Sequence, residues 1–421
     1  MSINTVTRES SDAAVRTQVR PPARRQTWLD ALRGVAVLAV LFEHLLDPLF
    51  PEVRGAVSPW FDLGQYGVMV FFLVSGYVVP ASLERRGSVS GFWIGRLFRL
   101  YPLWILAAVI GTGFGLLQVY SLLPSQLSEH PVAGGIAHLT MLQDFLQVVS
   151  VVNVFWTLSY EMVFYLLVTA LFIVGRHRAS TTCALVFAMA AVLVGGVLPA
   201  GALSRTLGGE LLVLVAAVVL VAGLAAVIGG GHRVRLCGAA VLAVLALVLL
   251  GINSRIGAWQ SLAIVATMFA GTALYRLDHG QLRRGWVIGL VPVASIAAAV
   301  WFGPGWGMSD EQALAFRWSW STAVAAAWLT FVIGRRLRSY VMPGFLVRLG
   351  LLSYSVYLLH PLAVQALRRL VPDAGPVPLP GRITWSVALL AVVVGCAALS
   401  YRFVELPAQA LGRRLARRQL S

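Results

Sequence analysis

Apolar stretches of about 20 residues recur along most of the chain, and this repetition constrains the fold more than any other feature. Wound as a helix rising about 1.5 Å per residue, each covers the roughly 30 Å of a bilayer's hydrocarbon core. A closed β-barrel would also satisfy its backbone in lipid, but its strands need an apolar–polar alternation that these runs lack. Of the 421 residues, 58% are hydrophobic and 12% charged, where an ordinary soluble domain has about a quarter charged. The expected fold is therefore all-α, a polytopic transmembrane helical bundle of about 10–12 spans. The pattern predicts helices over 34–50, 64–82, 100–118, 153–175, 182–200, 209–229, 236–252, 258–275, 285–303, 318–334, 346–367 and 384–404.

The formal charge of +16 rests on arginine alone, because the sequence contains no lysine. The arginines stand between the apolar runs. With the N-terminus in the cytoplasm, the inner segments hold 25 of them and the outer segments 7, Arg402 standing near an inner helix end. That excess predicts both termini cytoplasmic, and the expected location is the inner membrane of a bacterial cell. The charge thus reads as topology signals facing the cytoplasm and anionic membrane lipids, and no nucleic-acid partner is expected. Residues 1–27 lack the apolar region and cleavage site of a signal peptide and predict a disordered basic cytoplasmic tail. Residues 28–407 form the expected membrane domain, and 408–421 a short basic cytoplasmic tail with no appended soluble domain. Cys183, Cys237 and Cys396 lie in apolar runs without metal-like spacing, so they read as packing residues and no metal site is expected. The longest outer connection, 119–152, carries Glu129, His130, His138 and Asp144. Its second half is amphipathic enough to lie along the interface or re-enter, and both a functional role and a simple surface cover fit it.

Ionisable groups inside membrane spans are costly, so each one marks a candidate site. Arg33 and His44 stand eleven residues apart, which returns them to within about 20° of one helix face and separates them by roughly 16 Å along the axis. Glu43 and Asp47 flank His44, and Asp30 lies one turn before Arg33. Further along, Glu161 sits between Thr157 and Tyr165, each one turn away, and reads either as a hydrogen-bond hub or as a site carboxylate. Tyr357 and His360 are also one turn apart, followed by Pro361. Ser75-Gly76-Tyr77 is read first as small residues permitting close helix packing. Arg402 and Glu405 read as an interfacial ion pair. Arg96 and Arg99 fit either ordinary cytoplasmic charges or a phosphate-binding pair.

Taken in order, these blocks resemble the acyltransferase-3 group of membrane acyltransferases. The resemblance rests on Leu29-Asp30-Ala31-Leu32-Arg33-Gly34 with His44, on Gly67 through Tyr77, and on Arg96-Leu97-Phe98-Arg99-Leu100-Tyr101-Pro102. It continues with Trp156-Thr157-Leu158 and Glu161, Phe164 and Tyr165, with Ser353-Tyr354, Tyr357 and His360, and with Glu405-Leu406-Pro407. Thr157 replaces a more usual serine, and twelve predicted spans exceed the usual family core. The resemblance implies an acyl-CoA-dependent O-acyltransferase with acyl-CoA, acetyl-CoA first, as co-substrate and no tightly bound cofactor. The acceptor it implies is a hydroxyl of a carbohydrate or lipid-linked, cell-surface or exported molecule. On that reading His44, Glu161 and His360 are the catalytic candidates, with Glu161, Asp47 or Glu43 orienting the His44 imidazole. Arg33, Arg96 and Arg99 are the candidates for holding the phosphates of CoA. The alternative is a transporter or flippase for a glycan or lipid-linked intermediate.

Overall fold

The computed structural model describes residues 26–117, 129–255, 257–303, 308–371 and 377–418. Residues 1–25 of the tail predicted over 1–27 and the first part of the long connection therefore lie outside the described residues. The chain runs α1 (Thr27–Leu49), α2 (Pro51–Val57), α3 (Leu63–Arg86), α4 (Val89–Leu116) and α5 (Pro131–Leu139). A 3₁₀ turn at Asn153–Phe155 leads into α6 (Trp156–Ile173), followed by α7 (Ser180–Leu193), α8 (Ala202–Leu207), α9 (Gly209–Gly229) and α10 (His232–Ile252). Then come α11 (Ala258–Asp278), α12 (Leu290–Phe302), α13 (Asp310–Arg336), α14 (Gly344–Leu370), α15 (Leu379–Ser400) and α16 (Leu406–Arg418). No strand occurs among the described residues.

All twelve predicted apolar runs are helices. Nine spans among the described residues are long and apolar enough to cross a membrane. The other three fall short for identifiable reasons: α7 has only 14 residues, α1 carries Asp30, Arg33, Glu43 and Asp47, and α13 dilutes its apolar residues with Trp, Ser and Thr. Two expected boundaries move in a way that matters. Helix α1 begins seven residues early and α4 eleven, so Arg33, Arg96 and Arg99 stand on helices rather than before them.

Helix α1 is packed between α14 and α3, and α3 leans in turn on α11. Glycine permits the closest crossing. A Cβ on Gly350 would stand 1.7 Å from the Asp30 carbonyl oxygen, and one on Gly34 would stand 2.2 Å from that of Leu346. Such backbone approach substitutes for the hydrophobic drive that lipid does not supply between helices. Gly76 repeats the device on α3, against the Met268 carbonyl oxygen at 1.9 Å, so the packing reading of that stretch holds for the glycine.

The basic tail is corrected. Residues 406–418 form α16, which packs against α4, and a Cβ on Gly412 would meet Phe98 Cβ at 2.6 Å. Ala408, Gly412 and Ala416 recur at helical spacing as a small-residue face, with Gly412 and Ala416 buried. The run is too short and basic to score as a span, which hid it in the sequence. Between α15 and α16, Tyr401–Glu405 forms a π turn, and the extra residue in that turn swings Glu405 inward. Glu405 is buried and accepts a hydrogen bond from Ser355, whereas Arg402 is exposed beside the Phe403 ring. The expected Arg402–Glu405 ion pair is replaced by this buried contact.

The described part of the long connection, from residue 129 on, folds back into the bundle. Residues 140–146 are all buried. Gln143 donates to the Phe155 carbonyl at 3.0 Å, and Asn253 donates to that of Phe145 at 2.6 Å. His138 donates from Nδ1 to Gly134 and accepts at Nε2 from the Val151 N–H, so both ring nitrogens are used. Burial pushes its pKa down. Asp144 is likewise buried, with Arg255 at 3.4 Å, and burial pushes its carboxyl up to about 6. His130 pairs at the surface with Glu210 of α9. These polar residues tie the connection down, which favours a structural reading of it.

Candidate active site

Two cavities lie end to end along α1. The first is lined by Arg33 of α1, Ser75 of α3, Arg96 and Arg99 of α4, and Glu161 and Tyr165 of α6. The second is lined by Glu43, His44 and Asp47 of α1, Arg54 of α2, Asp62, and Arg368 of α14. Val68 and Tyr357 border both. The eleven-residue spacing on α1 therefore does what the helical repeat predicts, giving each cavity one of the two residues on a shared face.

In the histidine cavity, His44 Nδ1 lies 2.9 Å from the Val40 carbonyl oxygen. A carbonyl can only accept, so the ring proton is on Nδ1 and neutral His44 keeps its Nε2 lone pair free for a proton. His360 is held in the same manner, with Nδ1 3.0 Å from the Val356 oxygen. Its fully buried Nε2 has no hydrogen-bond partner among the described residues. The two imidazoles meet edge to face with centroids 4.8 Å apart. His360 stands behind His44 and lines neither cavity.

The carboxylates expected to orient His44 are engaged elsewhere. Arg54 reaches Glu43 at 2.6 Å and Asp47 at 3.6 Å, and Arg368 reaches Asp47 at 2.8 Å. Glu161 faces the arginine cavity, where Ser75 Oγ donates to it at 2.7 Å and the Tyr165 hydroxyl at 3.0 Å. The orienting group for His44 is its own helix's Val40 carbonyl. The reason is positional: Thr157 stands at the junction of the cavities, and Glu161 lies one turn beyond it, about 6 Å further along α6.

In the arginine cavity, Arg96 is fixed by Ser82 at 3.1 Å, with its guanidinium 5.4 Å and 5.5 Å from the ring centroids of Phe92 and Tyr165. Arg33 lies 3.9 Å from Asp30. Three guanidiniums and one carboxylate line this cavity, an excess of positive charge.

The structure thus gathers Arg33, Arg96, Arg99 and Glu161 in one cavity and places His44 in the other, backed by His360. Sequence reasoning undervalued Ser75, whose hydroxyl binds Glu161. It also counted Arg54 and Arg368 only as outer topology charges, although both line the histidine cavity. Their one signal was scarcity, as two of the seven arginines that the predicted topology puts outside.

The sequence model of the family described as "Acyltransferase domain" matches residues 26–402. The chain is 32% identical over 154 residues to the acyltransferase MdmB of Streptomyces mycarofaciens, covering 35% of this chain and 39% of that protein. It is 32% identical over 188 residues to nodulation protein 10 of Rhizobium leguminosarum bv. viciae, covering 39% of this chain and 48% of that one. A Staphylococcus aureus (strain MSSA476) protein provisionally named an O-acetyltransferase shares 34% identity over 102 residues, 23% of this chain and 15% of its own length. The matched stretches thus span under half the length of each of these relatives. No solved structure matches.

Proposed function

The chain belongs to the acyltransferase-domain family, and on that premise we propose that it carries an acyl group, acetyl first, from acyl-CoA to an acceptor hydroxyl. The observation that carries this reading is the pair of cavities meeting at Val68 and Tyr357, one arginine-rich and the other holding an imidazole with a free Nε2. Arg33, Arg96 and Arg99 bind the phosphates of CoA from the cytoplasmic side, through charge-assisted hydrogen bonds. Glu161, held by Ser75, acts on this cluster through Tyr165, whose ring centroid lies 5.5 Å from the Arg96 guanidinium. The pantetheine arm then reaches toward His44. The acceptor, a carbohydrate or lipid-linked molecule on the outer side of a bacterial inner membrane, enters the second cavity.

His44 Nε2 takes the acceptor's hydroxyl proton as the oxygen attacks the thioester carbonyl. The C–S bond breaks, a C–O bond forms, and CoA leaves as a thiolate that regains the proton from the imidazolium. His360 supports the His44 ring from behind. The relatives' names favour group transfer over transport of an unmodified solute.

The test is transfer from radiolabelled acetyl-CoA to a lipid-plus-glycan extract by purified protein. Label in a hydroxyl ester with wild type and none with an equally abundant His44→Ala protein supports the reading. Equal labelling by both overturns the role of His44, and movement of an unmodified solute without CoA supports a transporter.

A further inference from the structure

The two cavities approach each other but are divided at one level of the bundle. Tyr357 of α14 borders both, yet the residue itself is only 7% exposed. Its ring is wedged edge to face against Phe71 of α3, centroids 5.7 Å apart. Its hydroxyl is tethered across the gap to α6, with Thr157 Oγ1 at 3.1 Å and the Val154 carbonyl at 3.5 Å. Val68 of α3 is the other residue common to both linings. Three helices therefore meet at this level, and the group between them is a side chain, which turns on a faster timescale than packed helices shift.

We infer that Tyr357 is a removable partition that decides whether an acyl group passes to the acceptor hydroxyl or to water. This rests on the proposed function, because the donor's arm must cross this level to reach His44. With the partition closed, water in the histidine cavity has no route to a thioester waiting on the arginine side. The donor arm displaces the ring and fills the gap as it enters, so the thioester emerges beside His44 with its path sealed behind it. Without the ring, water enters freely. The wasteful reaction is hydrolysis: water attacks the thioester carbonyl, the C–S bond breaks, and free acid and CoA thiol result. The Thr157 tether sets how readily the partition moves, and the ring sets whether it exists.

The experiment uses full-length protein with Cys183, Cys237 and Cys396 replaced by Ser, and one thiol introduced by Val78→Cys in the arginine cavity. Intact cells, which expose only the histidine side, receive a small membrane-impermeant maleimide. With Tyr357 present, labelling from that side is expected to be slow. Tyr357→Ala should accelerate it at least tenfold, and Tyr357→Phe, which keeps the ring, should stay within about threefold of the parent. Purified Tyr357→Ala should also convert acetyl-CoA to acetate about tenfold faster relative to ester formation. A Tyr357→Ala protein that is monodisperse on size exclusion yet labels no faster overturns the partition. If Tyr357→Ala is not monodisperse, a smaller cut, Tyr357→Leu, carries the same test. Faster labelling without any acetyl-CoA cleavage by any variant keeps the partition and removes the donor reading instead.

Discussion

The central helices α3, α6 and α11 and the α9–α10 hairpin are built from different sequence, and the difference runs opposite to a simple hydropathy scale. Helices α9 and α10 have mean hydropathies of 3.2 and 2.5, yet only 33% of each is buried. Helices α3, α6 and α11 have mean hydropathies of 1.2 to 1.7 and are 72% to 89% buried. In lipid, an apolar side chain gains little by turning inward, whereas a polar one must find partners inside the protein. The most apolar helices therefore face lipid, and the buried ones carry hydroxyls, small residues and charges. Helix α1, the most charged of the cavity helices, supplies both Arg33 and His44.

The largest effect that sharpens this contrast is steric. Gly350→Val drives a side chain into the Asp30 carbonyl at the α1–α14 crossing, so we expect no monodisperse protein on size exclusion. Gly229→Ala in α9, where nothing lies within 4 Å, should be recovered like the parent. A comparable yield of the two variants breaks the division into a tightly packed cavity core and a tolerant lipid-facing hairpin.

Chemistry comes next. His44→Ala should lower kcat by about 10²–10⁴-fold, the usual worth of a positioned base, with thermal stability in detergent unchanged. Arg99→Gln should act on the other cavity alone, raising the KM for acetyl-CoA by roughly tenfold, as for loss of a charge-assisted hydrogen bond, while the acceptor KM stays constant. Steady-state kinetics with each substrate varied would show whether the cavities separate donor from acceptor in this way.

An effect on stability rather than on kinetics is expected in the 119–152 connection. Burial raises the Asp144 carboxyl from an ordinary 3.8 to about 6, so the folded protein binds its proton more tightly than the unfolded chain. Stability from this group is therefore highest below about pH 4 and falls as pH rises to 6, by up to ~3 kcal/mol. Asp144→Asn should flatten that slope in melting curves between pH 4 and 7. An unchanged slope would mean that another group carries it.

Much of this architecture was legible because spans of about 20 residues and a 3.6-residue repeat are local properties of sequence. Twelve of the sixteen helices among the described residues were visible, and so was the shared face of Arg33 and His44, whereas the short α2, α5, α8 and α16 were not. The partners of Glu161 were not, since Ser75 approaches it from a helix 86 residues away and nothing local on α6 says which neighbour that is. The same limit hid the role of Val40, because any helix offers an i−4 carbonyl and only the observed rotamer shows that His44 uses it. The inward turn of Glu405 depended on a π turn, a backbone irregularity without a side-chain signature here.

The central claim is that donor and acceptor meet from opposite cavities. The direct test supplies labelled acetyl-CoA to sealed vesicles of known orientation, with acceptor present on both sides. The account predicts ester formation only when acetyl-CoA is on the side of Arg33, Arg96 and Arg99. Equal ester formation with acetyl-CoA supplied solely to the His44 side would contradict it.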